Sequence, residues 1–347
     1  MNSFLDEIAE QPSVLSGLRK YYASPGAISF KVIRSLTEHW PPTVVFTGMG
    51  SSMFAAFPAQ TYLIGQGIRA VVWETAELLH HHMKFLGPDT LLVTVSQSGE
   101  SVEIIKLLER LPAKTNVLAV ANFEKSTLAR RGQMLLPLLA GGQASVSTKT
   151  YACAVVVLMY LAFAIARKPS RPLTQALSRA IEAQERILDR RDVLLPPAVE
   201  FFNNPPYVAL LSRGSDMSSA YQGSLLLKEV ARLAAEPMSA AQFRHGPIEI
   251  VNPAHRYVVF ARQGKTGKLL LNLVRDIRTH GGRVLLLTDM PFESLTNVRL
   301  AKMESSQLGL GTLTDTLYIQ LLARDLALRA GLEPGRFRIA SSVTREE

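Results

Sequence analysis

The chain has 347 residues, of which 47% are hydrophobic, enough for two domains of ordinary size with a core each. Its 38 Lys and Arg against 29 Asp and Glu leave a net charge of +9, but the cations are scattered, in pairs such as Arg130-Arg131 and Arg190-Arg191. That pattern suits a small anionic ligand and excludes a nucleic-acid-binding stripe.

The single cysteine, Cys153, permits neither an internal disulfide nor a paired-cysteine metal site, so a reducing, cytoplasmic setting is expected. The most apolar run, residues 151–166, falls short of the roughly 20 residues of a membrane span and is expected as a buried helix. The opening residues carry Asp6, Glu7 and Glu10, unlike a secretory leader.

In chain order, Phe4, Ile8, Val14, Leu15 and Leu18 recur at helical spacing around Pro12, and a second helical pattern over 28–36 stops before Pro41-Pro42. Val44-Val45-Phe46 predicts a strand running into the turn Gly48-Met49-Gly50-Ser51-Ser52, with a helix behind it over 55–63. A strand over 70–73 and a helix over 77–83 follow. His80-His81-His82 lie on that helix, where consecutive positions point about 100° apart and cannot converge on one ion, so no metal is expected. The strand over 91–95 ends in Ser96-Gln97-Ser98-Gly99-Glu100-Ser101, after which Val102, Ile104, Ile105, Leu107 and Leu108 mark a helix. Such a turn leaves helix N–H groups unpartnered, and serine hydroxyls, an amide and a glycine around them form a socket for an oxyanion, phosphate being the natural guest. The competing reading is that Ser98 or Ser101 only caps the helix. A strand over 117–121, a short helix over 126–131, a strand over 134–138 and a loop over 140–147 lead into the apolar helix. Strands and helices alternating at this spacing predict parallel βαβ units in an α/β/α sandwich, with ligands beyond the carboxyl ends of the strands.

Lys168-Pro169-Ser170-Arg171-Pro172 is the expected boundary, giving domains over 1–170 and 171–347, with an amphipathic helix from Leu173 to about Asp192 between the halves. The pattern then starts again: strand 208–211, turn 212–216, helix 219–233, strand 257–261, helix 268–279 and strand 284–287. Gly214-Ser215-Asp216 stands where Gly50-Ser51-Ser52 stands in the first half, so the chain reads as two copies of one α/β unit, each with a mainly parallel sheet flanked by helices. Only the first copy keeps a serine-rich loop. The second supplies charge. Glu229, among Leu225, Leu226, Leu227 and Val230, is a carboxylate beside an apolar face, where desolvation suits a general base, unless it pairs with Lys228 or Arg232. His245, in Phe243-Arg244-His245-Gly246-Pro247, can carry protons near neutral pH, although an ordinary loop histidine would look the same. Glu236 and Glu249 are weaker candidates.

Taken together, these motifs resemble the sugar isomerase (SIS) fold, and within it the isomerase half of the glutamine:fructose-6-phosphate amidotransferases. The matching stretches are Glu7-Ile8-Ala9-Glu10-Gln11-Pro12, Gly50-Ser51-Ser52, Ser96-Gln97-Ser98-Gly99-Glu100-Ser101, Val146-Ser147-Thr148-Lys149, Leu227-Lys228-Glu229-Val230, Phe243-Arg244-His245-Gly246-Pro247 and Ser342-Val343-Thr344, in the family's order. The resemblance implies two SIS units and a phosphosugar ligand, with no cofactor. Ser52, Ser96, Gln97, Ser98 and Ser101 would hold the 6-phosphate, and Gly50, Ser51 and Ser147 would line the sugar. Glu229 would move a proton between C1 and C2. His245 would reach the neighbouring subunit's site and assist ring opening, which implies a homodimer.

Departures from the family narrow the expectation. The sequence opens directly at the isomerase motif, so no glutaminase chemistry is expected of it, and Ser341 stands where the synthase has an imine-forming lysine. Gln222 replaces a usual carboxylate, and Gly142-Gln143 is expected to disturb the loop before Ser147. The expected activity is therefore a deaminating isomerisation of an amino sugar 6-phosphate. The alternatives are a fructosamine-type 6-phosphate deglycase, a plain aldose–ketose isomerase and, from another class, a non-catalytic sugar-phosphate sensor. No recognition helix for DNA is apparent.

Overall fold

The computed structural model describes residues 4–24, 26–28, 30–35, 42–144 and 146–339. It divides into two compact units, one of Glu10–Ser178, the other of Arg179–Phe337 with the N-terminal residues up to Ala9. The division falls inside one helix, Arg171–Asp189. Ser341 and Ser342-Val343-Thr344 lie outside the described residues.

The N-terminal unit holds β1 (Thr43–Gly48), β2 (Ala70–Glu74), β3 (Thr90–Ser96), β4 (Asn116–Ala121) and β5 (Met134–Pro137), all parallel, in the order β2-β1-β3-β4-β5. Val44, Val45 and Phe46 on β1 and Leu91, Leu92 and Val93 on β3 are fully buried. A parallel sheet covered on both faces needs such unbroken apolar runs, which is why these strands are readable from sequence. Helix Val102–Arg110 lays Ile104, Leu107 and Leu108 on Val45, Leu92, Val117 and Ala119. Helix Lys149–Ile165 packs against Gln11–Ala23 and Phe57–Gly65 and is buried at every position from Thr150 to Phe163, as a helix apolar all round must be.

The C-terminal unit repeats this plan with β6 (Val208–Ser212), β7 (Ala235–Ser239), β8 (Arg256–Ala261), β9 (Arg283–Thr288) and β10 (Val298–Lys302), parallel in the order β10-β9-β8-β6-β7. The ladders match in register. Val44 pairs with Ala70 and Leu91 as Val208 pairs with Ala235 and Arg256, and Leu91 pairs with Asn116 as Arg256 pairs with Arg283. Strands β6 to β10 are thus the counterparts of β1 to β5, and each loop of one unit has a definable counterpart in the other. Helix Gly267–Thr279 buries Leu270, Leu273, Val274 and Ile277 against this sheet, one stripe at helical spacing.

Several elements differ from expectation: the helix expected over 219–233 ends at Glu229, and strands β7 and β10 were not expected. Over Leu78–His82 the chain winds as a π-helix rather than an α-helix, with the His82 ring 4.8 Å from Trp73. Among the described residues no helix is long and apolar enough to cross a membrane.

Candidate functional site

The serine loop joins β3 to helix Val102–Arg110. Ser101 sits at the N-cap with φ −62° and ψ 140°, yet its side chain makes no capping bond. The orphan N–H groups of that helix are therefore left for something else. Ser96 and Ser98 use their oxygens inward: the Gly99 N–H donates to Ser96 Oγ at 3.0 Å and the Glu100 N–H to Ser98 Oγ at 3.2 Å. A hydroxyl that accepts through its oxygen still has its own proton to donate. The loop thus rigidifies itself while presenting O–H and N–H donors.

Neighbouring segments clamp it. The Gln97 carbonyl accepts the Asn122 N–H at 3.2 Å and the Gly99 carbonyl the Leu128 N–H at 3.1 Å. Gly99 has φ +68°, and a Cβ there would lie 2.3 Å from Ser126 Oγ, so only glycine fits. The loop's one acid is engaged elsewhere. Glu100 accepts the Thr127 N–H at 2.6 Å and the Thr127 hydroxyl at 2.9 Å, complementing the start of helix Thr127–Arg131. Its charge is thereby matched rather than left to repel an anion.

Gly50-Ser51-Ser52 lies against the same corner. A Cβ on Gly48 would stand 2.9 Å from the Val95 carbonyl oxygen and 3.0 Å from Ser52 Cβ, so the turn after β1 presses on the strand that carries Ser96. Helix Ser51–Phe54 in turn packs on helix Lys149–Ile165, at whose start Ser147 sits. The structure thus gathers Ser51, Ser52, Ser96, Gln97, Ser98 and Ser101 at the carboxyl edge of one sheet, with Ser147 on an adjoining helix start.

Gln143, expected to disturb the loop before Ser147, does the reverse. Its Oε1 accepts the N–H groups of Thr148 at 3.2 Å and Thr150 at 3.1 Å and so caps the helix. Ser147 Oγ lies 2.9 Å from Thr150 Oγ1. Lys149, almost wholly buried, donates to Glu10 at 2.5 Å and to the Gly142 carbonyl at 2.7 Å, fixing the loop's other side. Asn122 donates to the Gly141 carbonyl at 2.8 Å and accepts the Ala140 N–H at 2.9 Å. Asn122, Gln143 and Glu100 are the supporting residues that sequence reasoning missed.

The counterpart corner of the second copy is filled by its own charges. Gly264 and Thr266 stand where Gly99 and Ser101 stand, again a positive-φ glycine and an N-cap. Ser52 and Asn122, however, are replaced by Asp216 and Asp289. Arg262 spans the corner, bonded to Asp315, to the Glu304 carbonyl at 2.8 Å and to Thr314 Oγ1 at 3.2 Å. Burial, then the nearby Asp315, pushes the Asp216 carboxyl up to about 7, with Arg262 opposing. Asp216, buried, and Asp289, half-buried, put two carboxylates at the counterpart positions, which disfavours an anion in this corner.

Glu229 is the last residue of helix Met217–Glu229 and is partly buried. Neither Lys228 nor Arg232 forms an ion pair with it. Removal from water pushes its carboxyl up to about 7, against the weaker pull of Lys228. A carboxyl poised there can give and take protons at neutral pH. His245 lies in the turn after helix Ala240–Phe243, its N–H bonded to the Gln242 carbonyl at 2.9 Å and its ring exposed. Gln222 is fully buried in the helix that carries Glu229.

The SIS domain family matches residues 39–166 and again 202–330, one match for each sheet, and the chain belongs to that family. It is 29% identical over 314 residues to the isomerizing glutamine–fructose-6-phosphate aminotransferase of Pyrococcus horikoshii, a match covering 87% of this chain and 52% of that protein. The chain therefore spans about half the length of that relative. Among solved structures, the C-terminal domain of glucosamine-fructose-6-phosphate aminotransferase from Francisella tularensis superposes with a TM-score of 0.83 at 20% identity, covering 97% of this chain and 99% of that one. The glucosamine-6-phosphate deaminase of Thermotoga maritima does so with a TM-score of 0.75 at 18% identity, covering 99% of each. Both likenesses are of fold.

Proposed function

We propose that this protein is a phosphosugar isomerase that deaminates an amino sugar 6-phosphate. The observation that carries the reading is Glu229, a partly buried carboxyl without an ion-pair partner among the described residues, whose pKa is raised by burial to about 7. In this reading the 6-phosphate rests on Ser52, Gln97 and the donors of Ser96, Ser98 and Ser101, while Gly50, Ser51 and Ser147 line the sugar. Anchoring the phosphate brings the far end of an open-chain sugar to one base repeatedly, which is most of what an enolisation needs.

His245 assists ring opening. Glu229 then removes the proton on C2 of the open aldose; the C–H pair forms the C1–C2 double bond while the C1=O π pair moves to O1, which takes a proton from water, giving an enolamine. The Glu229 carboxyl, its proton exchanged with solvent, protonates C1 as the nitrogen pair forms an imine at C2, and water adds there and expels ammonia, giving a ketose 6-phosphate. No lysine imine is required, in keeping with Ser341. The deaminase among the structural neighbours supports the reading by its fold.

The test is a panel of glucosamine 6-phosphate, a fructosamine-type 6-phosphate and plain aldose and ketose 6-phosphates, with ammonia, amino acid and ketose phosphate each measured. Ammonia and ketose phosphate released in equal amounts from glucosamine 6-phosphate is the expected outcome. Sugar phosphates that raise Tm without any turnover would replace the reading with a sensor.

A further inference from the structure

The C-terminal unit carries a cationic cavity of its own. It has a volume of about 250 Å³ and is lined by Arg213, Arg244, His245 and Asn272, with Ala240 and Leu269 among its apolar walls. No carboxylate lines it. Arg244 is held from outside by Asp276, 2.5 Å away. Arg213, on the extended residue directly after β6, has no ion pair among the described residues. Asn272 accepts from Arg275 at 2.9 Å through its Oδ1, which leaves its amide as a donor.

The duplicated register shows how unusual this corner is. The counterparts of Arg244, Leu269 and Asn272 in the first unit are Leu79, Ile104 and Leu107, all buried in one core cluster. Where the first copy closes the space with aliphatic side chains, the second opens it onto two guanidinium groups and an amide set in apolar walls. Guanidinium groups present forked N–H pairs that match phosphate oxygens, and a site of donors without acceptors takes an oxyanion.

We propose that this cavity is a second anion site, taking a phosphate monoester or free phosphate. The inference stands on Arg213, Arg244 and Asn272 of the C-terminal unit; it depends neither on the serine loop nor on His245, which the proposed function uses elsewhere. Isothermal titration of the full chain with inorganic phosphate, and separately with glucitol 6-phosphate, which has no carbonyl to react, tests it. Two classes of site are expected in the wild type. Arg213→Gln should weaken one class by about tenfold or more, with Arg213→Lys intermediate. The double variant Ser98→Ala, Ser101→Ala should weaken the other. Tm in the absence of phosphate should be unchanged in Arg213→Gln. Tighter binding of the ester than of phosphate at the Arg213-dependent class assigns a sugar phosphate, and equal binding assigns free phosphate. Phosphate isotherms of Arg213→Gln and Arg213→Lys that both superpose on the wild type would overturn the proposal. Loss confined to the Arg213 variants, with the serine variant unchanged, would uphold this site and instead refute the serine-loop reading.

Discussion

At the scale of single residues, Glu229 concentrates the chemistry. Its ordinary value near 4.5 is raised to about 7 by burial, so the basic form predominates only above about 7 and kcat/KM should climb with pH through that value. Glu229→Gln should lower kcat by about 10³-fold and flatten the profile. The same shift bears on stability. The folded state holds the proton more tightly than the unfolded chain, so a penalty develops as pH rises from 4.5 to about 7 and is complete above it. Glu229→Gln should therefore be at least as stable as the wild type at pH 8, which separates lost chemistry from lost fold. Asp216 follows the same sign over a wider window, from 3.8 to about 7. Asp216→Asn should raise Tm at pH 8, and the gain should vanish towards pH 4, as thermal scans across pH would record. For His245→Ala, turnover of ring-closed substrates should fall more than that of ring-open ones; equal losses would remove it from ring opening.

At the scale of elements, the loops are held by single side chains that reach across gaps in sequence. Gln143 caps helix Lys149–Ile165 from outside it, and Gln143→Ala should cost about 1 kcal/mol in denaturant unfolding. That contribution was not legible, because a cap is sought at the residue before the helix, whereas Gln143 reaches it by the loop folding back. Glu100 is similar: its partner lies 27 residues on, and only the parallel packing of β3 beside β4 brings them together. Strands β1 and β3, by contrast, were legible because Val44-Val45-Phe46 and Leu91-Leu92-Val93 have no polar position to mislead, whereas β7 and β10, with Glu236 and Pro237 in one and Arg299 and Lys302 in the other, show no apolar run and were not. The π-helix was not, since Leu78 to His82 carry the same local pattern in either winding. The donor loop itself could be read from Ser96 to Ser101, as local chemistry dictates a turn there. The filling of its counterpart by Arg262 could not, because Asp315 and Glu304 arrive from distant elements.

At the scale of the whole molecule, duplication lets one plan take two fates: a hydroxyl-lined corner in the first copy, and buried charge plus a cationic cavity in the second. The proposed activity needs both the phosphate donors of the serine loop and the base Glu229. A homodimer in which His245 completes the neighbouring site makes a further demand. Glu229→Gln and His245→Ala chains, each impaired alone on the ring-closed substrate, should on mixing, unfolding and refolding together reach about a quarter of wild-type activity, because half the dimers are mixed and half their sites are intact. No recovery, measured as ammonia release, would place each site within one chain.

The most direct test follows glucosamine 6-phosphate in deuterated water, with the ketose product examined by NMR. The wild type should incorporate deuterium at C1 while releasing ammonia, and Glu229→Gln should give neither label nor product yet keep its phosphate-dependent rise in Tm. Product formed by Glu229→Gln at the wild-type rate would contradict the assignment of that carboxyl as the base.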